Sequence, residues 1–189
     1  MSLERYFSEL MEEGKPLKKS ALVRFSGLLP EEMAVVRRLW PRLEAERRWQ
    51  IMTWLVEMAT DNVELDFGLF FRHCLNDPDS RVREVAVAGL WESDDRTLIV
   101  PLLGLLQRDS AAEVRSAAAI ALGKFTDLAE DGKLPTRDRK RIQDALIGAI
   151  QQEDETLDVR RRAVEAVASG NSPKVHELIE WAYASSDST

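Results

Sequence analysis

The stretch from Asp77 to Glu92, DPDSRVREVAVAGLWE, sets the pair Val82-Arg83 ahead of a run of small apolar residues, and the pair returns twice downstream. Val114-Arg115 and Val159-Arg160 repeat it, with the three arginines 32 and 45 residues apart. In register on the arginines, Ala86, Ala118 and Ala163 coincide, and so do Leu90, Leu122 and Val167. A copy 35 residues upstream puts Arg48 at the arginine position, Ile51 at the alanine and Leu55 at the leucine. It departs at the valine, where Arg47 stands. Self-similarity at such a period is the mark of stacked supersecondary units.

Valine, alanine and leucine follow one another at intervals of four residues, which places them along one stripe of a helix. Gly89, Ala121 and Ala166 lie beside the stripe and let a second helix approach closely. Asp77-Pro78 offers an N-cap with proline at the first helical position. Ser110 and Glu113 have capping-box spacing, and Thr156 or Asp154 can start the later copy. Further apolar-periodic stretches alternate with these, at about Pro30–Leu43, Leu65–Leu75, Arg96–Gln107, Arg137–Gln151 and Ser172–Ala184. Alternating Val/Ile/Thr-rich strands are missing, so the spacing predicts an all-α chain of helix, short turn, helix. The longer third interval is taken up by TDLAEDGKLPTRD, residues 126–138, a loop or an extended helix end punctuated by Gly132 and Pro135.

Asp77–Glu92 and the segment AAEVRSAAAIALGKF, residues 111–125, resemble the second helices of HEAT-like repeats. The resemblance runs over about residues 28–184. It implies a right-handed α-solenoid of about four helix pairs, with residues 1–27 as an N-terminal helical cap and 185–189 as a polar tail. In that family a turn aspartate and a helix arginine tie adjacent repeats. The matching residues are Asp77 or Asp79 with Arg83, Asp109 with Arg115, and Asp154 or Asp158 with Arg160. Arg48 has only Glu44 or Glu46 at the corresponding place. A guanidinium suits this task because its planar fork can hold a carboxylate and backbone carbonyls together.

The 189 residues carry 26 Lys plus Arg against 33 Asp plus Glu, a formal charge of −7. Residues 1–95 hold 13 basic and 18 acidic side chains; the remainder holds 13 and 15. A net negative field disfavours general binding to nucleic acid or an anionic membrane. Cys74 stands alone, so no internal disulfide forms, which fits a reducing cytoplasm. The start MSLERYFSELMEEG has no apolar signal core, and no stretch reaches the length of a membrane span. These features point to a soluble, cytoplasmic protein; they leave the oligomeric state open, with a monomer favoured over a self-associating array.

Stacking places equivalent helices about 8–10 Å apart, so their exposed positions form rows. One row is Trp49, Glu84, Ser116 and Arg161; a second is Thr53, Ala88, Ile120 and Glu165; a third is Glu57, Glu92, Lys124 and Ser169. Trp49, Thr53, Glu84, Trp91, Glu92 and Arg161 are the candidate contacts to a partner, because exposed tryptophan and arginine anchor interfaces. Trp40 and Trp54 read as core, and Trp181 as a cover for the carboxy-terminal end. The basic run Lys133–Arg141 and the triplet Arg160–Arg162 could take a phosphate or an acidic peptide, or be neutralised by neighbouring acids.

His73-Cys74 lacks the further ligands a zinc site needs, and no nucleophile–base order or phosphate-binding glycine loop is present. The expectation is a non-catalytic protein-binding scaffold or adaptor that uses the concave face of a short solenoid, lined by the second helices, without metal or cofactor. The alternatives implied by the resemblance are a DNA-glycosylase-like HEAT protein or a bilin-lyase-like subunit. The first needs a basic groove that this acidic chain poorly supplies.

Overall fold

The computed structural model describes residues 2–12 and 14–168. Among them there is no strand, and the chain divides into two compact units, Met1–Ser93 and Asp94–Thr189.

The first unit holds α1 (Leu3–Met11), a 3-10 segment at Lys19–Phe25, α2 (Pro30–Leu39), α3 (Ala45–Asp61), α4 (Gly68–Cys74) and α5 (Ser80–Gly89). Local chemistry sets the helix starts. Pro30 opens α2, and Glu32 reaches back to accept the Leu29 N–H at 2.8 Å. α5 is capped by Asp79, whose Oδ1 accepts from Arg81 N at 2.9 Å. The cap is therefore Asp79 and not Asp77, because the Asp77 carboxylate turns into the core. α4 packs on α5, α2 against α4, and α3 against α5, so first helices meet first helices and second helices meet second helices.

The second unit holds a 3-10 turn at Arg96–Leu98, then α6 (Ile99–Arg108), α7 (Ala112–Glu130), α8 (Thr136–Gln151) and α9 (Leu157–Ala168). Here too α6 lies against α8 and α7 against α9, while α6–α7 and α8–α9 are the sequential pairs. The capping box expected at Ser110 does not form: α7 begins at Ala112, and Asp109 accepts from Ala111 N at 3.0 Å. Thr156 Oγ1 does receive Val159 N, at 3.4 Å. The long third interval is an extension of α7 to Glu130, closed by Gly132 at φ 72°. There the Lys133 N–H returns to Leu128 O at 2.9 Å, a left-handed C-terminal cap that favours glycine. The helix expected over Ser172–Ala184, with Trp181, and the tail at 185–189 lie outside the described residues.

The stripe is the core. Val82, Val114 and Val159 are fully buried, as are Ala86, Ala118 and Ala163, with Leu90, Leu122 and Val167 beneath them. In the first copy Ile51 and Leu55 are equally buried, and Arg47 has another task. Its Nε donates to Leu10 O at 3.1 Å and its Nη2 to Lys15 O at 2.8 Å, holding the chain after α1 against α3.

Gly89 sits where a Cβ would lie 2.7–2.8 Å from ring carbons of Phe71, which is itself buried. Gly148 has nothing within 4 Å of its Cβ position. The two glycines should respond oppositely to alanine. Gly89→Ala is expected to destabilise by about 1–3 kcal/mol through overpacking. Gly148→Ala should stabilise by about 0.5–1 kcal/mol through helix propensity. Urea midpoints of the two variants check the sign of each.

Candidate functional site

Each unit contains an arginine tie. Arg48 and Asp77 are buried, their side chains 7% and 1% exposed. Arg48 Nε lies 3.0 Å from Asp77 Oδ2, and Nη2 donates to Oδ1 at 3.1 Å. Arg48 Nη1 donates to Leu43 O at 2.6 Å. Asp77 also accepts from Trp40 Nε1 at 2.7 Å and from Asp79 N at 2.9 Å. The fork thus joins the turn before α3 to the turn before α5. In the second unit Arg115 repeats the device. Its Nη1 donates to Asp109 O at 2.8 Å, while Nε and Nη2 donate to Glu155 Oε2 and Oε1 at 2.8 and 2.6 Å.

The partners differ from those expected. Arg48 reaches forward to Asp77 and not to Glu44 or Glu46. Glu155 does what Asp154 or Asp158 was expected to do, and it does so for Arg115. Asp158 instead accepts from Ser116 Oγ at 2.6 Å and from Arg161 at 2.8 Å. Asp154 is exposed. Asp79 holds Arg81, with Nη2 at 3.0 Å, and not Arg83. Arg83 Nη1 donates to the carbonyls of Asp77 and Pro78 at 2.8 and 3.1 Å, and Arg160 Nη2 to those of Gln152 and Glu153. So each of the four arginines closes on its own preceding turn through backbone oxygens. For Arg48 and Arg115 the carboxylate partner comes from the following turn. Glutamate's extra methylene lets Glu155 serve there as Asp77 does for Arg48.

Burial pushes the Glu155 carboxyl up, but the bonds from Arg115 and Thr156 N outweigh it and hold the group below its ordinary 4.5. A carboxylate lowered on folding stabilises above its unfolded value and loses that contribution as pH falls below it. Glu155→Gln should therefore cost about 1.5–3 kcal/mol near neutral pH. The gap to the native protein should narrow below the ordinary 4.5, which urea unfolding at a series of pH values measures.

The remaining candidates lie on the second helices. Trp49 is half-buried, with the Arg81 guanidinium 5.3 Å from its ring centroid. Arg81 is clasped by Asp79 and by Glu46 Oε2 at 2.8 Å, which raises its affinity for the proton and lowers that of Asp79. Thr53 Oγ1 donates to Trp49 O at 3.0 Å. Glu84 is half-buried; Glu92 is exposed and Trp91 is 60% exposed, just beyond α5. Ser116 is buried and drops out of its row. On the second unit Ile120 is 53% exposed, and Arg161 and Glu165 are exposed on α9. Trp40 is buried and Trp54 half-buried.

The basic segments are paired in part. Lys133 binds Asp131 at 2.8 Å, Arg139 binds Glu130 at 2.6 Å, and Arg96 takes Asp138 at 2.6 Å. Arg162 binds Glu165 at 2.9 Å. Burial drives the Cys74 thiol well above its usual range, with Asp77 adding to the effect, so it stays protonated and unreactive. Burial, then Arg37, lowers His73. Among the described residues no three His, Cys, Asp or Glu side chains gather as metal ligands, and no helix is long and apolar enough to cross a membrane.

Within each unit the helix pairs stack second helix on second helix, with an arginine fork joining successive turns. Residues 70–136 match a family model described as HEAT repeats. This segment is a HEAT-repeat segment. The HEAT repeats so matched run from within α4 through α7 and include Arg83 and Arg115. No curated protein matches the chain. HEAT repeats commonly act as protein-interaction scaffolds and are generally non-enzymatic.

Proposed function

We propose that the chain is a non-catalytic scaffold that binds a protein partner through the outward faces of its second helices, in the cytoplasm. One observation carries this reading. The apolar stripe of each second helix is wholly consumed by the core, and the opposite face keeps large aromatic and charged side chains half-buried or exposed. In the first unit that face offers Trp49, Thr53, Glu84, Trp91 and Glu92; in the second it offers Arg161. Tryptophan and arginine contribute most when a partner desolvates them, and a rigid helical backing lowers the ordering cost of binding. The arginine ties belong to this reading as the scaffold's internal fasteners. Residues 1–27 serve as the cap of the array, with Tyr6, Phe7, Leu10, Leu22 and Phe25 covering its apolar end.

The pairing of Arg161 with Asp158 and of Arg162 with Glu165 weighs against a nucleic-acid groove, since few cations there are left for phosphates. The test is affinity capture with the native chain, with Trp49→Ala/Glu84→Lys and with Trp91→Ala/Glu92→Lys. The reading expects proteins held by the native chain to be lost from at least one variant that melts like the native protein. An identical set of captured proteins on all three baits would contradict it.

A further inference from the structure

A groove of about 450 Å³ runs between α6 and α8, away from the second-helix faces. It is lined by Val100, Leu103, Gly104, Gln107 and Arg108 of α6, and by Arg141, Asp144 and Ala145 of α8. Leu103 and Ala145 are buried and form an apolar floor, and Val100 is 57% exposed at the rim. Arg108 and Arg141 are exposed, and among the described residues neither is ion-paired. This sets them apart from Arg139, Arg161 and Arg162, each of which has its carboxylate. Gly104 allows the arrangement. A Cβ there would stand 2.9 Å from Arg108 Nη2, so the missing side chain lets the guanidinium lie back over α6 along the groove.

We propose that this groove binds an acidic–apolar segment of a partner protein, with one carboxylate held by Arg108 and Arg141 and an aliphatic neighbour resting on Leu103 and Ala145. A guanidinium fork matches a planar carboxylate, and two of them gain more when an apolar contact alongside excludes water. Asp144 sets the charge of the occupant. With it the groove carries two positive groups and one negative, which fits a single carboxylate better than a dianionic phosphate or a phosphate chain. The groove is separate from the faces proposed above, so either can fail without the other.

The experiment is selection of random short peptides displayed on phage against the immobilised full chain, followed by fluorescence anisotropy with the strongest peptide. Enriched peptides should carry Asp or Glu beside Leu, Ile, Val or Met. Arg108→Ala/Arg141→Ala should weaken the chosen peptide about tenfold or more while leaving the melting temperature unchanged, since both side chains are exposed. Gly104→Ala should weaken it as well, by moving Arg108 without removing a charge. Trp49→Ala/Glu84→Lys should leave it unaffected. Selection of peptides without acids, no selection at all, or equal affinity for the double arginine variant would overturn the proposal. So would displacement of the peptide by equimolar inorganic phosphate. A native dimer dissolved by the arginine changes would assign the groove to a second copy, and would likewise overturn it.

Discussion

Asp77→Ala is expected to be among the most damaging single changes in the chain, costing about 3–5 kcal/mol. Its side chain is 1% exposed and accepts from Arg48, Trp40 Nε1 and Asp79 N. Alanine removes the carboxylate that Asp77 supplies to the buried Arg48 guanidinium, whose side chain is 7% exposed. It also orphans the indole N–H, and an unmet buried donor adds its own desolvation penalty. Asp79→Ala makes a useful contrast two residues away. That residue caps α5 and meets the half-exposed Arg81, so its loss should cost only about 1 kcal/mol. Four of the five tryptophans, Trp40, Trp49, Trp54 and Trp91, belong to the first unit, so urea unfolding followed by tryptophan fluorescence reports mainly on this unit. Equal midpoints for the two variants would mean that the buried tie does not secure the turn.

Phe70→Ala should lower stability by a comparable amount, about 3–5 kcal/mol. The ring is 1% exposed and stands between Phe25, at 4.8 Å between centroids, and Trp40, at 4.9 Å and edge-on. Phe25 in turn touches Phe7 at 5.7 Å and Tyr6 at 5.6 Å, so Phe70 joins the amino-terminal residues to the repeat core. Removing it empties a site whose walls are other rings and cannot easily collapse. Leu69, its neighbour on α4, is 48% exposed, and Leu69→Ala should change the midpoint by no more than about 0.5 kcal/mol. A small effect for Phe70→Ala would show that the aromatic cluster is loosely packed.

The repeating stripe was legible in the sequence because burial repeats every helical turn: Val82, Val114 and Val159 fall in register and all reach zero exposure. The polar details were not. DPD presents two aspartates, and only the turn geometry decides that Asp77 faces inward while Asp79 caps the helix. Ser110 and Glu113 have the spacing of a capping box, yet Asp109 satisfies the nearby amide and α7 starts later. Glu155 is not legible as the partner of Arg115, because the resemblance points to an aspartate at the turn. Ser116 sits at a surface position of an isolated helix but is buried once α9 lies alongside. Arg47, the departure from the valine pattern, is explained by carbonyls of Leu10 and Lys15, a pairing across more than thirty positions that no local pattern carries. Of the candidate contacts, exposure of Trp91 could be read from its place beyond the stripe, whereas the clasp of Arg81 over Trp49 could not.

The central claim is that the second helices within each unit, α3 with α5 and α7 with α9, lie side by side as neighbours. Gly123 on α7 and Ala166 on α9 meet closely, with a Cβ at Gly123 falling 3.2 Å from Ala166 Cβ. Disulfides need about 3.5–4.5 Å between Cβ atoms, so a slight adjustment accommodates one. In a Cys74→Ala background, Gly123→Cys/Ala166→Cys should oxidise to an intramolecular cross-link in the folded monomer, seen as a two-dalton mass loss and a shifted non-reducing gel band. A folded double variant that keeps both thiols free under oxidant would show that α7 and α9 are not neighbours, and would contradict the stacked-repeat architecture.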